Sequence, residues 1–263
     1  MFKVVFFLWR RTGFTRAQFI DYYENSHSGL TRHDASDEIL VPRALDYRRN
    51  YPMWREEHDP VFGSKHFDVM TEMWFEHQSE FEEQLKVVTT SPGKERISSD
   101  EAKFLDRGQQ ALFVVTECGS GISPTEGTLT KLLRFGRRLP QVGRRQFAER
   151  YEEAARNLRQ RIPQVVEHRR SYPLLGHPLS FQGGHHNQSA PDDTSFPLDL
   201  VEELWLRTGS DLDAISTAAE AVGDGLLDGP RSPIVPVEEF RSPWGRPAAP
   251  VASGAGTTAD PVS

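Results

Sequence analysis

His27 is a side chain suited to moving a proton near neutral pH, because an imidazole can accept or release one there. It stands in FTRAQFIDYYENSHSGL, where Phe19, Tyr22, Tyr23 and Ser26 fall at the i, i+3, i+4, i+7 spacing of one helix face. Tyr23, one turn earlier, would flank the same pocket. Farther along, FDVMTEMW alternates as a strand does, with Phe67, Val69, Met73 and Phe75 expected toward helices and Asp68, Met70, Glu72 and Trp74 on the opposite face. A carboxylate such as Glu72 against the Trp74 indole could have a raised pKa and serve as a general acid or base. The alternative is an ion pair between Glu72 and an arginine. Arg48 and Arg49 are adjacent on a predicted strand and so point to opposite faces, which lets one of them hold a carboxylate or steady an enolate or phenolate oxygen. Tyr47 is a further pocket candidate.

These residues recur. RRNYPM at 48–53 returns as RRSYPL at 169–174, FKVVFFLWRR (2–11) as LTKLLRFGRR (129–138), and FDVMTEMW (67–74) as LDLVEELW (198–205). The second set brings Tyr151, His168, Arg169, Arg170, Glu203 and Trp205 to matching places, so Tyr151 and Trp205 join the pocket candidates. Glu203 and Trp205 should face Glu72 and Trp74 from the other copy. Laying the first helices together without gaps, Phe19 on Phe147 and Tyr23 on Tyr151, puts Ala155 opposite His27. Alanine cannot carry a proton. One copy is therefore equipped and the other degenerate.

The elements that position these groups follow from the same repeat. Its period of about 120–130 residues is far above that of stacked solenoid units, so each copy is a small domain. KVVFFLW, ALDYRRNYPM, FDVMTEMWF and ALFVVTE read as strands, with helices in FTRAQFIDYYENSHSGL and HQSEFEEQLKVV. That order, βαββαβ, is the ferredoxin-like split unit, with helices on one face of an antiparallel sheet. Copy two repeats it with LTKLLRF, a helix over 144–158, VVEHRRSYPL, FPLDLVEELWL, a helix over 211–222 and a strand near 234–240. Two bare sheet faces in one chain can bury each other. The expected fold is α+β: two ferredoxin-like repeats forming an intramolecular α+β barrel, with repeats at 1–118 and 128–245, a Gly- and Ser-rich linker at 119–127 and a disordered tail at 246–263.

Composition narrows the partners. A formal charge of −7 leaves no basic excess to neutralise phosphates, so nucleic acid is not an expected ligand. The apolar run Val4–Trp9 is too short to span a membrane or to serve as a signal core, and the lone Cys118 excludes an intrachain disulfide; both point to a cytoplasmic protein. His177, His185 and His186 sit in a Gly- and Pro-rich stretch without HExxH or a cysteine pair, which reads as a loop. No metal or cofactor is called for.

GFTRAQFIDYYENSHSGL, then DYRRNYP, FDVMTEMWF and SSDEAKFLDR (98–107), in that order, resembles the EthD-like branch of the dimeric α+β barrel superfamily. Copy two resembles it more weakly, with Leu226, Leu227 and Asp228 where copy one has Phe104, Leu105 and Asp106. Gly29 and Val69 depart from the family's usual proline and glycine. The resemblance implies a small-molecule enzyme doing acid–base chemistry, cyclisation with dehydration or isomerisation, on an apolar oxygenated substrate of polyketide or aromatic type. It leaves open a cofactor-free or haem-assisted oxygenase and a binding protein without chemistry. In this reading His27 moves the proton, Arg48 or Arg49 steadies the oxyanion, and Tyr23 and Trp74 shape the pocket. The pocket would lie either between helices and sheet, near His27, or inside the barrel, near Glu72. The chain would act as a monomer that mimics a dimer, or as a homodimer.

Overall fold

A computed structural model of the chain describes residues 1–28, 44–90, 93–119, 129–156, 158–174, 176–182 and 198–242. Gly29, His185, His186, most of the expected linker and the whole expected tail lie outside the described residues. The first half runs β1 (Phe2–Leu8), α1 (Arg16–Tyr22), β2 (Asp46–Pro52), β3 (Val69–Phe75), α2 (Gln78–Thr90), α3 (Gly93–Phe104) and β4 (Ala111–Gly119). The second runs β5 (Leu129–Gly136), α4 (Arg144–Ala155), α5 (Leu158–Arg161), β6 (Val165–Pro173), β7 (Phe181–Gln182), β8 (Leu200–Arg207), α6 (Leu212–Val222) and β9 (Ile234–Ser242). The block SSDEAKFLDR, where the sequence pattern places no helix, is helical through Phe104, so it adds α3 before β4.

The strands pair in the order β1-β3-β2-β9-β5-β8-β6-β4, and β4 pairs again with β1. All pairings are antiparallel, and β7 adds only a short contact to β4. The fold is thus α+β with a closed eight-stranded antiparallel barrel. Closure leaves no open edge in the ring. The two halves interlock in it, since β4 lies between β1 and β6 while β9 lies between β2 and β5.

Strand alternation divides the side chains between the barrel interior and the helix-covered exterior. Val5, Phe7, Phe67, Met70, Phe113, Leu133 and Phe135 form one buried cluster inside. Val69 packs outward with α1, and Met73 and Phe75 pack outward with Phe81 of α2. Phe67 was expected on that outer face. It instead joins the interior, because β3 begins only at Val69 and the alternation does not extend back to it.

The rest of the interior is ionic. Glu72 and Glu203 are fully buried and face each other across the barrel between Lys3 and Lys131. Lys3 Nζ lies 2.7 Å from Glu72 and 3.0 Å from Glu203; Lys131 Nζ lies 3.2 Å from Glu72 and 2.7 Å from Glu203. Glu117 and Glu239 add one outer carboxylate to each lysine, at 2.6 and 2.8 Å. The expected arginine partner of Glu72 is therefore corrected to two lysines. They occupy the same place in the two halves, Lys3 opposite Trp74 and Lys131 opposite Trp205. Laying 2–11 directly on 129–138 hides this, because it sets Lys131 against Val4. The structural register is one residue different.

The RR-x-YP blocks divide as alternation requires. Arg48 and Arg169 enter the barrel, where both guanidinium groups lie over the Trp205 ring and Arg48 also covers Trp74. Arg49 turns out to the helices and forks Glu24, Nε and Nη2 each donating at 2.7 Å, while Tyr51 donates to the same carboxylate at 2.6 Å. Arg170 and Tyr172 hold Glu152 of α4 in the same manner. The repeated block is thus a clamp that fastens the first helix of each half to the sheet.

Two expectations follow. Glu24→Ala takes the carboxylate from the fork of the buried Arg49 and should destabilise the protein by about 3–5 kcal/mol. Glu152→Ala should cost less because Glu152 is more exposed, 29% against 10%. Urea denaturation compares the two. Burial alone would raise the carboxyls of Glu202 and Glu203, but Arg134 and His168 hold Glu202 down to about 2, and Lys131 and Lys3 hold Glu203 lower still. Depressed carboxyls stabilise the fold above their ordinary value of 4.5 and lose that contribution as pH falls toward 2. Unfolding free energy should fall across that window, and less steeply in Glu203→Gln; equal slopes would remove Glu203 from the cause.

Candidate active site

Thr15 and Gln18 cap α1 reciprocally, so the helix starts at a fixed point. Its last turn widens into a π-helical segment, Tyr23–His27. The i→i+5 bonding of that turn shifts the facing positions, and such turns recur at functional sites. Ser26, expected on the inner face, is exposed, and His27 is buried in its place.

His27 Nδ1 lies 2.9 Å from Asp100 Oδ2 of α3. An ionised carboxylate only accepts, so Nδ1 carries a proton, and in the neutral ring the lone pair is then on Nε2. Asp100 also accepts from Tyr22 Oη at 2.6 Å and from Lys103 Nζ at 3.2 Å. Burial alone would raise the Asp100 carboxyl, but these three donors outweigh it and hold it below its ordinary value. The Phe104 and Tyr23 rings pack against the imidazole, at 4.9 and 5.2 Å between centroids. The arrangement is an oriented imidazole with an anion behind it, which can accept a proton at Nε2 and stabilise the resulting imidazolium.

The structure sorts the expected site residues into three places. Tyr23 is beside His27, and its hydroxyl meets that of Tyr47 at 2.8 Å. Burial pushes both phenols up, which keeps them neutral. Arg49 is near this cluster through Glu24 and the Tyr47 ring, but its fork is taken by Glu24. Arg48, Glu72, Trp74 and Trp205 lie inside the barrel, on the far side of the sheet from His27. Arg48 forks Asp46 there, at 2.9 and 2.6 Å. Tyr151 belongs to the other half, bonded to Arg134 and Glu202.

Asp100 and Lys103 were not singled out from the sequence, and Tyr22 only as a member of the helix face, although Asp100 sits in the quoted SSDEAKFLDR block one helical turn before Phe104. The second half lacks the pair. Ala155 matches His27, and the register that sets Leu226 on Phe104 sets Val222 on Asp100; both are buried in an apolar cluster. Among the described residues, no three His, Cys, Asp or Glu side chains converge as a metal site, and His177 packs against Phe2.

The model of the EthD domain matches residues 11–108, a span that holds His27, Asp100, Tyr22, Tyr23, Tyr47, Arg48, Arg49, Glu72 and Trp74. Residues 11–108 are an EthD domain. No curated protein sequence matches the chain. Among solved structures, an anthrone oxidase-like protein aligns at a TM-score of 0.49 and 11% identity, over 94% of this chain and 96% of that one. A candidate monooxygenase from Lactobacillus acidophilus aligns at 0.49 and 9%, over 93% and 96%. A mutant chlorite dismutase from Candidatus Nitrospira defluvii aligns at 0.42 and 11%, over 90% of each chain. Within the EthD domain the described helices do not include one long and apolar enough to cross a membrane, and the same holds for the other described residues.

Proposed function

We propose that the EthD domain uses His27 as a general base, oriented by Asp100, to remove an activated proton from an apolar oxygenated small molecule of aromatic or polyketide type. The observation that carries this reading is the 2.9 Å contact between Nδ1 and Asp100, which commits one ring nitrogen to holding the ring and leaves the other to react. The Phe104 and Tyr23 rings against it, with Tyr47 meeting the Tyr23 hydroxyl, suit an aromatic substrate. Proton removal from carbon is the shared first step of isomerisation, in which the proton returns at another atom, and of cyclisation with dehydration, in which the carbanion attacks a carbonyl carbon and the oxygen leaves as water. Arg48 and Glu72 take a structural part in this reading, as members of the barrel's ionic interior. We read the second half as a further βαββαβ unit that completes the barrel without a proton-transfer pair, so a single chain carries one site and needs no second copy. A reducing, cytoplasmic setting fits the free Cys118.

Anthrone, whose ring methylene is acidic, is a suitable probe. Under nitrogen, the protein should accelerate exchange of that methylene with deuterated water, followed by NMR. His27→Ala should lower the rate by about 10²–10⁴ with folding intact. Asp100→Asn should lower it too and alter its pH profile, as expected of a residue acting through the imidazole. Exchange equal to wild type in both variants removes the dyad from catalysis, and no acceleration by wild type leaves a binding protein. Oxygen uptake on admitting air, dependent on His27, would assign the same base to a cofactor-free oxygenase.

A further inference from the structure

The second half lacks His27 and Asp100 but holds a different polar cluster on the same side of its sheet. Arg134 on β5 pairs in register with Glu202 on β8, where the first half has Phe6 opposite Thr71. Arg134 Nη1 donates to Tyr151 Oη at 2.7 Å and lies 3.2 Å from Glu202 Oε2. Tyr151 in turn donates to Glu202 at 2.8 Å, and His168 Nε2 meets the other Glu202 oxygen at 2.6 Å. Glu202 is therefore fully engaged.

Arg134 is only 1% exposed, yet its Nε and Nη2 have no hydrogen-bond partner among the described residues. That edge of a guanidinium is the fork that takes both oxygens of a carboxylate. This protein fills the same edge elsewhere, Arg49 with Glu24 and Arg170 with Glu152. In Arg134 it is buried and unfilled, and Arg134 lines a cleft of about 470 Å³ together with Glu220, Ala221, Asp224 and Leu227. Glu220 and Asp224 are exposed at the end of α6, where the helix's own carbonyls add negative potential. A simple anion would meet the fork but be repelled by this rim. An anion joined to a cation satisfies both.

We propose that this cleft binds a small amino-acid-like zwitterion, its carboxylate in the Arg134 fork and its ammonium against Glu220 and Asp224, with Leu227 as the apolar wall. This site is separate from the proton-transfer reading and does not depend on it. The test is an NMR titration of the full chain with L-alanine and, separately, with propionate, following the backbone amides of Ala221, Gly223, Asp224 and Ser232. Alanine should shift them saturably and bind about tenfold or more tightly than propionate. Arg134→Met should abolish the shifts. Because loss of a buried arginine can disturb folding, Ala221→Trp at the exposed rim is the second variant, filling the cleft and abolishing the shifts with an unchanged melting temperature. Glu220→Gln should weaken alanine and leave propionate equal or tighter. No saturable shift with alanine in the wild type, or shifts that persist in Ala221→Trp, would overturn the site; equal affinity for alanine and propionate would overturn the zwitterion.

Discussion

Four buried charges at the centre of the barrel, Lys3, Glu72, Lys131 and Glu203, constrain everything around them. Each comes from a different strand, β1, β3, β5 and β8, two from each half. Taking any one of these groups out of water is expensive unless the opposite charges meet it at close range. A slip of one residue in any of the four strands would send its charge to the helix side and leave the others uncompensated. The quartet therefore works as a register lock. Within it the charges cancel, two lysines against two glutamates, and Glu117 and Glu239 add one outer carboxylate to each lysine.

With the interior fixed, the outer faces are free to differ, and they do. The same clamp, a second arginine and a tyrosine on the glutamate of the first helix, holds α1 in one half and α4 in the other. Beyond it the chemistry diverges. The first half builds an imidazole backed by an aspartate against aromatic rings. The second replaces those two groups with Ala155 and Val222 and places its polar atoms deeper, in Arg134, Glu202, His168 and Tyr151. The positions that hold the frame, in the clamps and the barrel interior, are thus not those at which the two halves differ.

The frame was legible in the sequence because strand alternation and the recurrence of RR-x-YP are local signals. Alternation alone told that Arg48 and Arg49 part to opposite faces, and that Glu72 and Trp74 meet Glu203 and Trp205. The lysines were not legible. Lys3 and Lys131 sit in apolar strands one place out of step in a simple overlay, and only strand pairing brings them level. Asp100 was missed because no helix was expected over its block, whereas helix α3 carries it to the imidazole. Ser26 was favoured over the true inner position because 3.6-residue periodicity fails in a π turn. For the lysines and for Asp100 the missing information was a contact between segments distant in the chain; for Ser26 it was a local change of helix type.

The interleaving of β4 and β9 bears on how the chain reaches this state. When synthesis has passed β4, the strands that flank it in the finished ring are β1, already made, and β6, not yet made; β2 still waits for β9, the last strand described. The nascent first half would thus present two sheet edges at once, with Lys3 and Glu72 lacking their opposite pair. Such edges invite contact with other chains, and closure must wait for the most distant pairing, which slows folding. The same exchange that seals the barrel makes its biogenesis a single late event, sensitive to crowding and to chaperones during translation.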